Sequence, residues 1–124
     1  MNTLYETIPA DPREVCEIPA EDYKIEIHHD PYPRNPAAEF DCYGPEEVED
    51  WKNGDVFGWV IVRADGSETV EYSCWGYYGA PDSDGWNYMV ESAREQIAYL
   101  RERDKKEREE VSYWAARDVV TASA

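Results

Sequence analysis

From Tyr23 to His29 apolar and polar side chains alternate, with Tyr23, Ile25 and Ile27 on one side and Lys24, Glu26 and His28 on the other. A period of two predicts a half-buried β-strand. The strand stops at Asp30-Pro31-Tyr32-Pro33-Arg34-Asn35-Pro36, where three of seven residues lack the N–H that a sheet ladder requires. Further on, Asn53-Gly54 and Asp65-Gly66 are the dipeptides best suited to the positive φ values of tight hairpin turns, and β-forming residues flank both. They predict a three-stranded meander over 46–52, 55–63 and 68–78. With Asp65-Gly66 as a two-residue turn, Arg63 would face Glu68, Ile61 would face Val70, Trp59 would face Tyr72 and Phe57 would face Cys74. The Phe57, Trp59 and Ile61 side is then the core face.

A different period follows the turn-rich 79–85. Trp86, Met89, Val90, Ala93, Ile97 and Leu100 recur at helical spacing, with Ser83 or Asp84 placed to cap. An amphipathic helix over 86–118 is predicted, its charged middle supported by Glu102 with Lys106, Arg103 with Glu107 and Asp104 with Arg108 at i,i+4. Residues 1–22 hold Pro9, Pro12 and Pro19 among acids without periodicity and read as an extended acidic arm. The expected fold class is α+β. A small antiparallel sheet, the meander plus an N-terminal strand, is packed by one long C-terminal helix, forming a single domain over 23–124.

The strand sequences also carry a resemblance. Gly54-Asp55-Val56-Phe57-Gly58-Trp59-Val60-Ile61 and Ser73-Cys74-Trp75-Gly76-Tyr77-Tyr78-Gly79, with Ile25-Glu26-Ile27, Asp30-Pro31 and Pro33-Arg34 ahead of them, resemble a family of uncharacterised bacteriophage and plasmid proteins. The similarity covers about 23–79, and longer relatives have an extra segment where only 36–45 intervenes here. What the resemblance implies is a phage-type origin, with no catalytic residues to carry over.

Charge narrows the function. The 124 residues include 28 Asp and Glu against 12 Lys and Arg, a net charge of −16. Residues 1–85 hold 20 acidic and 5 basic side chains, a net of −15, so the acidity belongs to the first two thirds. Such a surface repels the polyanion that a nucleic-acid binder must neutralise. No apolar run approaches the roughly 18 residues of a membrane span, and the N-terminus lacks the plan of a signal peptide, so a cytoplasmic protein is expected. Cys16, Cys42 and Cys74 are odd in number and widely spaced, which suggests neither a disulfide framework nor a CxxC site.

Catalytic constellations fare poorly on these residues. A thiol nucleophile at Cys74 would need His28 or His29 as its base, yet the expected pairing turns Cys74 into the core. Zinc held by His28, His29 and Cys42 is opposed by alternation, since adjacent strand residues point to opposite faces. Glu46, Glu47, Glu49 and Asp50 offer carboxylate pairs, but acids are too abundant here for a pair to specify a hydrolase. Asp82-Ser83-Asp84-Gly85 fails as a calcium loop because Ala93 stands where the bidentate glutamate belongs. The sequence therefore implies no enzyme, no cofactor and no metal.

The second sheet face offers more. Glu47, Glu49, Trp51, Glu71, Trp75 and Tyr77 are expected there beside Gly58, aromatic anchors among carboxylates that suit a basic partner. The bland reading is that the proline-rich link or the arm covers this face. The function expected is that of a non-enzymatic phage accessory protein that binds and inhibits or modulates a basic host protein of nucleic-acid-binding type. It would act as a nucleic-acid mimic of antirestriction or anti-CRISPR kind. The alternatives are a structural or regulatory oligomer joined through 97–114, by Ile97, Leu100, Val111 and Trp114, and a small enzyme of unknown chemistry.

Overall fold

The computed structural model describes residues 4–10, 22–39, 44–64 and 66–123. The elements in chain order are β1 (Leu4–Pro9), β2 (Tyr23–His29), α1 (Pro36–Glu39), α2 (Pro45–Asn53), β3 (Val56–Arg63), β4 (Val70–Tyr78) and α3 (Asp84–Ser123). The fold is α+β, with one four-stranded antiparallel sheet in the order β1-β2-β3-β4. Two compact units divide the chain, Met1–Arg94 and Glu95–Ala124.

Within the first unit, β2 and β3 are the two inner strands, and the alternation of β2 does what the sequence predicts. Ile25 pairs with Ile61 and Ile27 with Trp59, all four buried. β3 is buried on both faces from Val56 to Val62, as an inner strand rich in β-branched residues must be when each face is covered. The first turns of α3 lie on the Phe57 face. The rings of Phe57 and Trp86 meet edge-on at 5.0 Å, and Met89, Val90 and Ala93 are buried with them. Ser83 starts the helix, its hydroxyl accepting the Trp86 N–H at 3.2 Å, and α3 runs past the expected 118 to Ser123.

The segment expected as an unpatterned arm contributes strand β1 over Leu4–Pro9. Residues 1–3 and 11–21 of that arm lie outside the described residues. Tyr5 sits in a bulge, since Leu4 pairs with His28 and Glu6 with Ile27. The extra residue is re-aimed, and its ring meets those of His29 at 5.1 Å, Phe57 at 5.2 Å and Trp86 at 5.6 Å.

Two expectations are corrected. Residues 46–52 are helix, not the first strand of a meander, because Pro45 occupies the first helical turn, Glu46 and Glu47 follow it, and Val48 and Trp51 stand at i,i+3. Gly54 does take a positive φ, 79°, but it ends this helix, donating its N–H back to Asp50 and Trp51, and turns no hairpin.

The β3–β4 register also differs. Ile61 pairs with Tyr72, Trp59 with Cys74 and Phe57 with Tyr77, slips of two, two and three residues from the expected partners. Asp65 is outside the described residues, but Arg63 donates its N–H to Thr69 at 2.9 Å, so the connection is longer than a two-residue turn. Two register shifts in β4 account for the rest. Accordingly Arg63 is bound to Glu71 at 2.5 Å, and Glu68 to Lys24 at 2.6 Å, in place of the expected Arg63–Glu68 pair.

The second unit is described by itself. It is α3 from Glu95 onward, in which Ile97 and Leu100 are buried while Val111, Tyr113 and Trp114 are exposed. Arg103 lies 3.0 Å from Asp104 and 3.9 Å from Glu107. No described helix is long and apolar enough to cross a membrane.

Candidate functional site

The six residues expected on one sheet face are distributed over three places. Glu47, Glu49 and Trp51 are on α2, which removes them from the sheet. Trp75 lies over Gly58 on the face opposite α3, beside Val56 and Val60, with its ring 6.1 Å from that of His28. Tyr77 is carried by the bulge to the α3 face, where its hydroxyl accepts the indole N–H of Trp59 at 3.2 Å and meets Ser92 Oγ at 3.2 Å. Glu71 is spent on Arg63, whose guanidinium also lies over the Tyr23 ring at 5.3 Å.

The Cys–His pairing fails on geometry. Cys74 pairs with Trp59 and so lies on the α3 face, half-buried, where Tyr77 is its hydrogen-bonding neighbour. His28 pairs with Gly58 on the other face and binds Glu26 at 3.1 Å, so the sheet stands between this imidazole and the thiol. His29 is engaged by the rings of Tyr5 and Phe57. Cys16 and Cys42 lie outside the described residues. Burial pushes the Tyr77 phenol above its usual range, the nearby Cys74 adding to this while the hydrogen bonds with Ser92 and Trp59 pull the other way. That cluster ties β3, β4 and α3 together.

What the structure does assemble is an acidic corner around α2. Glu47 turns back to accept the Gly44 N–H at 3.0 Å, which satisfies an orphan donor at the helix start. The helix is then anchored at its far end, Asp55 donating its N–H to the Asp50 carbonyl at 2.8 Å and Gly79 donating to the Asp55 carbonyl at 3.0 Å. Side chains fix the proline-rich link beside it. The Trp51 indole N–H donates to the Pro33 carbonyl at 3.3 Å, the Tyr78 hydroxyl donates to the Arg34 carbonyl at 2.6 Å, and Pro36 is fully buried.

Glu46 and Glu49 point outward from this anchored helix, both exposed. Asp50 is the focus of the charge. Its carboxyl is raised above the usual range, first by partial burial and then by repulsion from Asp55, Glu47, Glu46 and Glu49. It also stands near the C-terminal end of α2, where the helix dipole disfavours an anion. Four carboxylates thus act on Asp50, and Glu46, Asp50 and Asp55 are the acids of this corner that lie outside the six residues expected from the sequence. Pro45 ahead of two glutamates and glycine after Asn53 is the local signal that could have placed them on a helix.

No family model, curated protein or solved structure matches this chain. Among the described residues, no group of three or more His, Cys, Asp and Glu side chains is placed to hold a metal ion.

Proposed function

We propose that this chain is an acidic binding protein that uses the carboxylates of α2 to engage a basic protein. In the setting that its strand sequences suggest, it would be a phage-type accessory protein acting in the cytoplasm on a nucleic-acid-binding protein of the host. The observation that carries the reading is the placement of Glu46, Glu47, Glu49 and Asp50 on one short helix with Asp55 bound to its end, Glu46 and Glu49 being exposed; the raised Asp50 carboxyl accords with it. Carboxylates gathered in this way are relieved when cations are brought to them, which favours a basic ligand. The rest of the surface supports this, because a net charge of −16 steers a basic cleft toward the protein at a rate that falls with salt.

Mimicry of nucleic acid is the specific form proposed. It rests on the density of carboxylates on one short helix, where acids three and four residues apart are neighbours at about 5–6 Å between Cβ atoms. Binding, without bond-making, is the activity inferred.

The test is affinity capture from host extract with the intact protein and with a variant carrying Glu46→Gln, Glu49→Gln and Asp50→Asn, each at low and high salt and with duplex DNA as competitor. A captured basic protein that is lost on neutralisation, weakened by salt and displaced by DNA supports the proposal. A partner held equally by both proteins at every salt concentration overturns it.

A further inference from the structure

We propose that Asn53 is a self-modification site, at which the amide nitrogen of Gly54 closes on the Asn53 side chain and converts it to a mixture of aspartyl and isoaspartyl residues. The chemistry needs an asparagine side chain and a following N–H that can reach it, and glycine obstructs the approach least because it has no Cβ. Asn53 is the last residue of α2 and is exposed. A Cβ built on Gly54 would meet no atom of the described residues within 4 Å, so the attacking nitrogen belongs to a residue with open space around it. The other described asparagines each lack a requirement. Asn35 precedes Pro36, which has no N–H, and its Oδ1 accepts the Ala37 N–H at 3.0 Å. Asn87 lies inside α3 and precedes Tyr88, whose Cβ crowds the approach. Asp84-Gly85 is a comparable pair but an enclosed one, since a Cβ on Gly85 would collide with the Tyr78 carbonyl oxygen.

The step balances with water as the only co-reactant. Base removes the Gly54 amide proton and the nitrogen attacks Asn53 Cγ. The N–Cγ bond forms, the Cγ–Nδ2 bond breaks and ammonia leaves with a proton, giving a cyclic succinimide. Water then adds to one of its carbonyls. Addition at Cγ breaks the new N–Cγ bond and yields aspartate, whereas addition at the main-chain carbonyl carbon breaks the peptide C–N bond and routes the chain through the side chain. Nothing is oxidised or reduced.

The fold controls when this happens. In the closed cap Gly54 donates its N–H to the Asp50 and Trp51 carbonyls, so its nitrogen is engaged until the last turn of α2 frays. The product then opposes re-closure. A carboxylate at position 53 stands at i,i+3 from Asp50, at the helix end where the dipole disfavours an anion, and the isoaspartyl form adds a carbon to the main chain just ahead of the cap bonds. Age should therefore loosen α2 irreversibly. The modification does not depend on α2 engaging a partner.

The experiment incubates the full chain in mildly alkaline buffer, folded and separately in urea, and follows each asparagine by peptide mass spectrometry, with isoaspartate read by an isoaspartyl methyltransferase. In the folded chain Asn53 should be lost about tenfold or more faster than Asn87, the ratio that about 1.4 kcal/mol of easier opening at a helix end gives. Isoaspartate should accumulate in the same peptide, and Asn53→Gln, whose ring would be larger and slower to close, should remove that signal. The melting temperature should fall in step with the loss of Asn53 and hold in Asn53→Gln. Loss of Asn53 in urea, with none beyond that of Asn87 in the folded chain, would overturn the inference, because the fold would then seal the site. So would aspartate formed without isoaspartate, since hydrolysis would then bypass the Gly54 nitrogen. A melting temperature that falls equally in Asn53→Gln would overturn the loosening of α2.

Discussion

The indole of Trp75 occupies the space where a side chain at Gly58 would stand. A Cβ built there would lie 2.6 Å from Trp75 Cδ2 and 2.8 Å from the Cys74 carbonyl oxygen, one of them backbone and unable to yield. Gly58 is the position on β3 opposite His28, so the glycine lets an aromatic ring from β4 cross the strand toward β2. Gly58→Ala is expected to destabilise the protein by about 1–3 kcal/mol, the usual cost of overpacking. Urea denaturation followed by tryptophan fluorescence would measure it, and an unchanged midpoint would remove Trp75 from that face.

A second prediction concerns Tyr77. Trp59 is 3% exposed, and its indole N–H has the Tyr77 hydroxyl as acceptor. Tyr77→Phe leaves that donor buried without this partner and should cost about 1–3 kcal/mol. Ser92→Ala removes only the outer partner of the same hydroxyl and should cost less. Thermal unfolding of both variants gives the order, which reverses if Tyr77 does not serve Trp59.

Asp50 sets a pH dependence of defined sign. Its folded-state pKa lies above the ordinary value of 3.8, so the folded protein holds this proton more tightly than the unfolded chain. The ionised carboxylate therefore destabilises at neutral pH, and the penalty fades as pH falls through the raised value. Asp50→Asn is expected to stabilise the protein at pH 7, with the gain shrinking on acidification and gone below about 3.8. Added salt should reduce the same gain, because part of it comes from exposed neighbours. Melting temperatures of the two proteins across pH would check it, and a gain that grows on acidification would contradict it.

The start of α3 gives a fourth. Ser83 Oγ is the acceptor for the Trp86 N–H, and Trp86 packs on Phe57 within the same unit. Ser83→Ala should cost about 0.5–2 kcal/mol, whereas Ser83→Asp should restore most of it. Denaturant midpoints that do not separate the two variants would show that the helix starts without this cap.

Tyr23–His29, the strands on either side of Asp65-Gly66 and the helix after Ser83 were legible in the chain because each rests on local periodicity or a local cap. The burial of Ile25, Ile27, Phe57, Trp59 and Ile61 follows from that alternation. The slip between β3 and β4 was not legible. Alternation leaves a register undetermined by two residues, since a slip of two keeps every side chain on its face, and only a turn of known length removes the choice. The bulges that bring Tyr77 to Trp59 and separate it from Trp75 depend on which rings pack where, a property of three strands and a helix together.

The candidate site divides in the same way. Its acidity is written in the composition, and Asn53-Gly54 does demand a positive φ. That dipeptide could end a helix or turn a hairpin, because both need the same backbone conformation at glycine. Only the folded chain chose the helix, anchored α2 through Asp55 and Gly79, and set five carboxylates close enough for Asp50 to feel the other four. The charge was thus the sequence's own contribution. Its arrangement at one corner was decided by the helical choice of 45–53 and by the bond from Gly79 to the Asp55 carbonyl, which ties the end of that helix to a segment far along the chain.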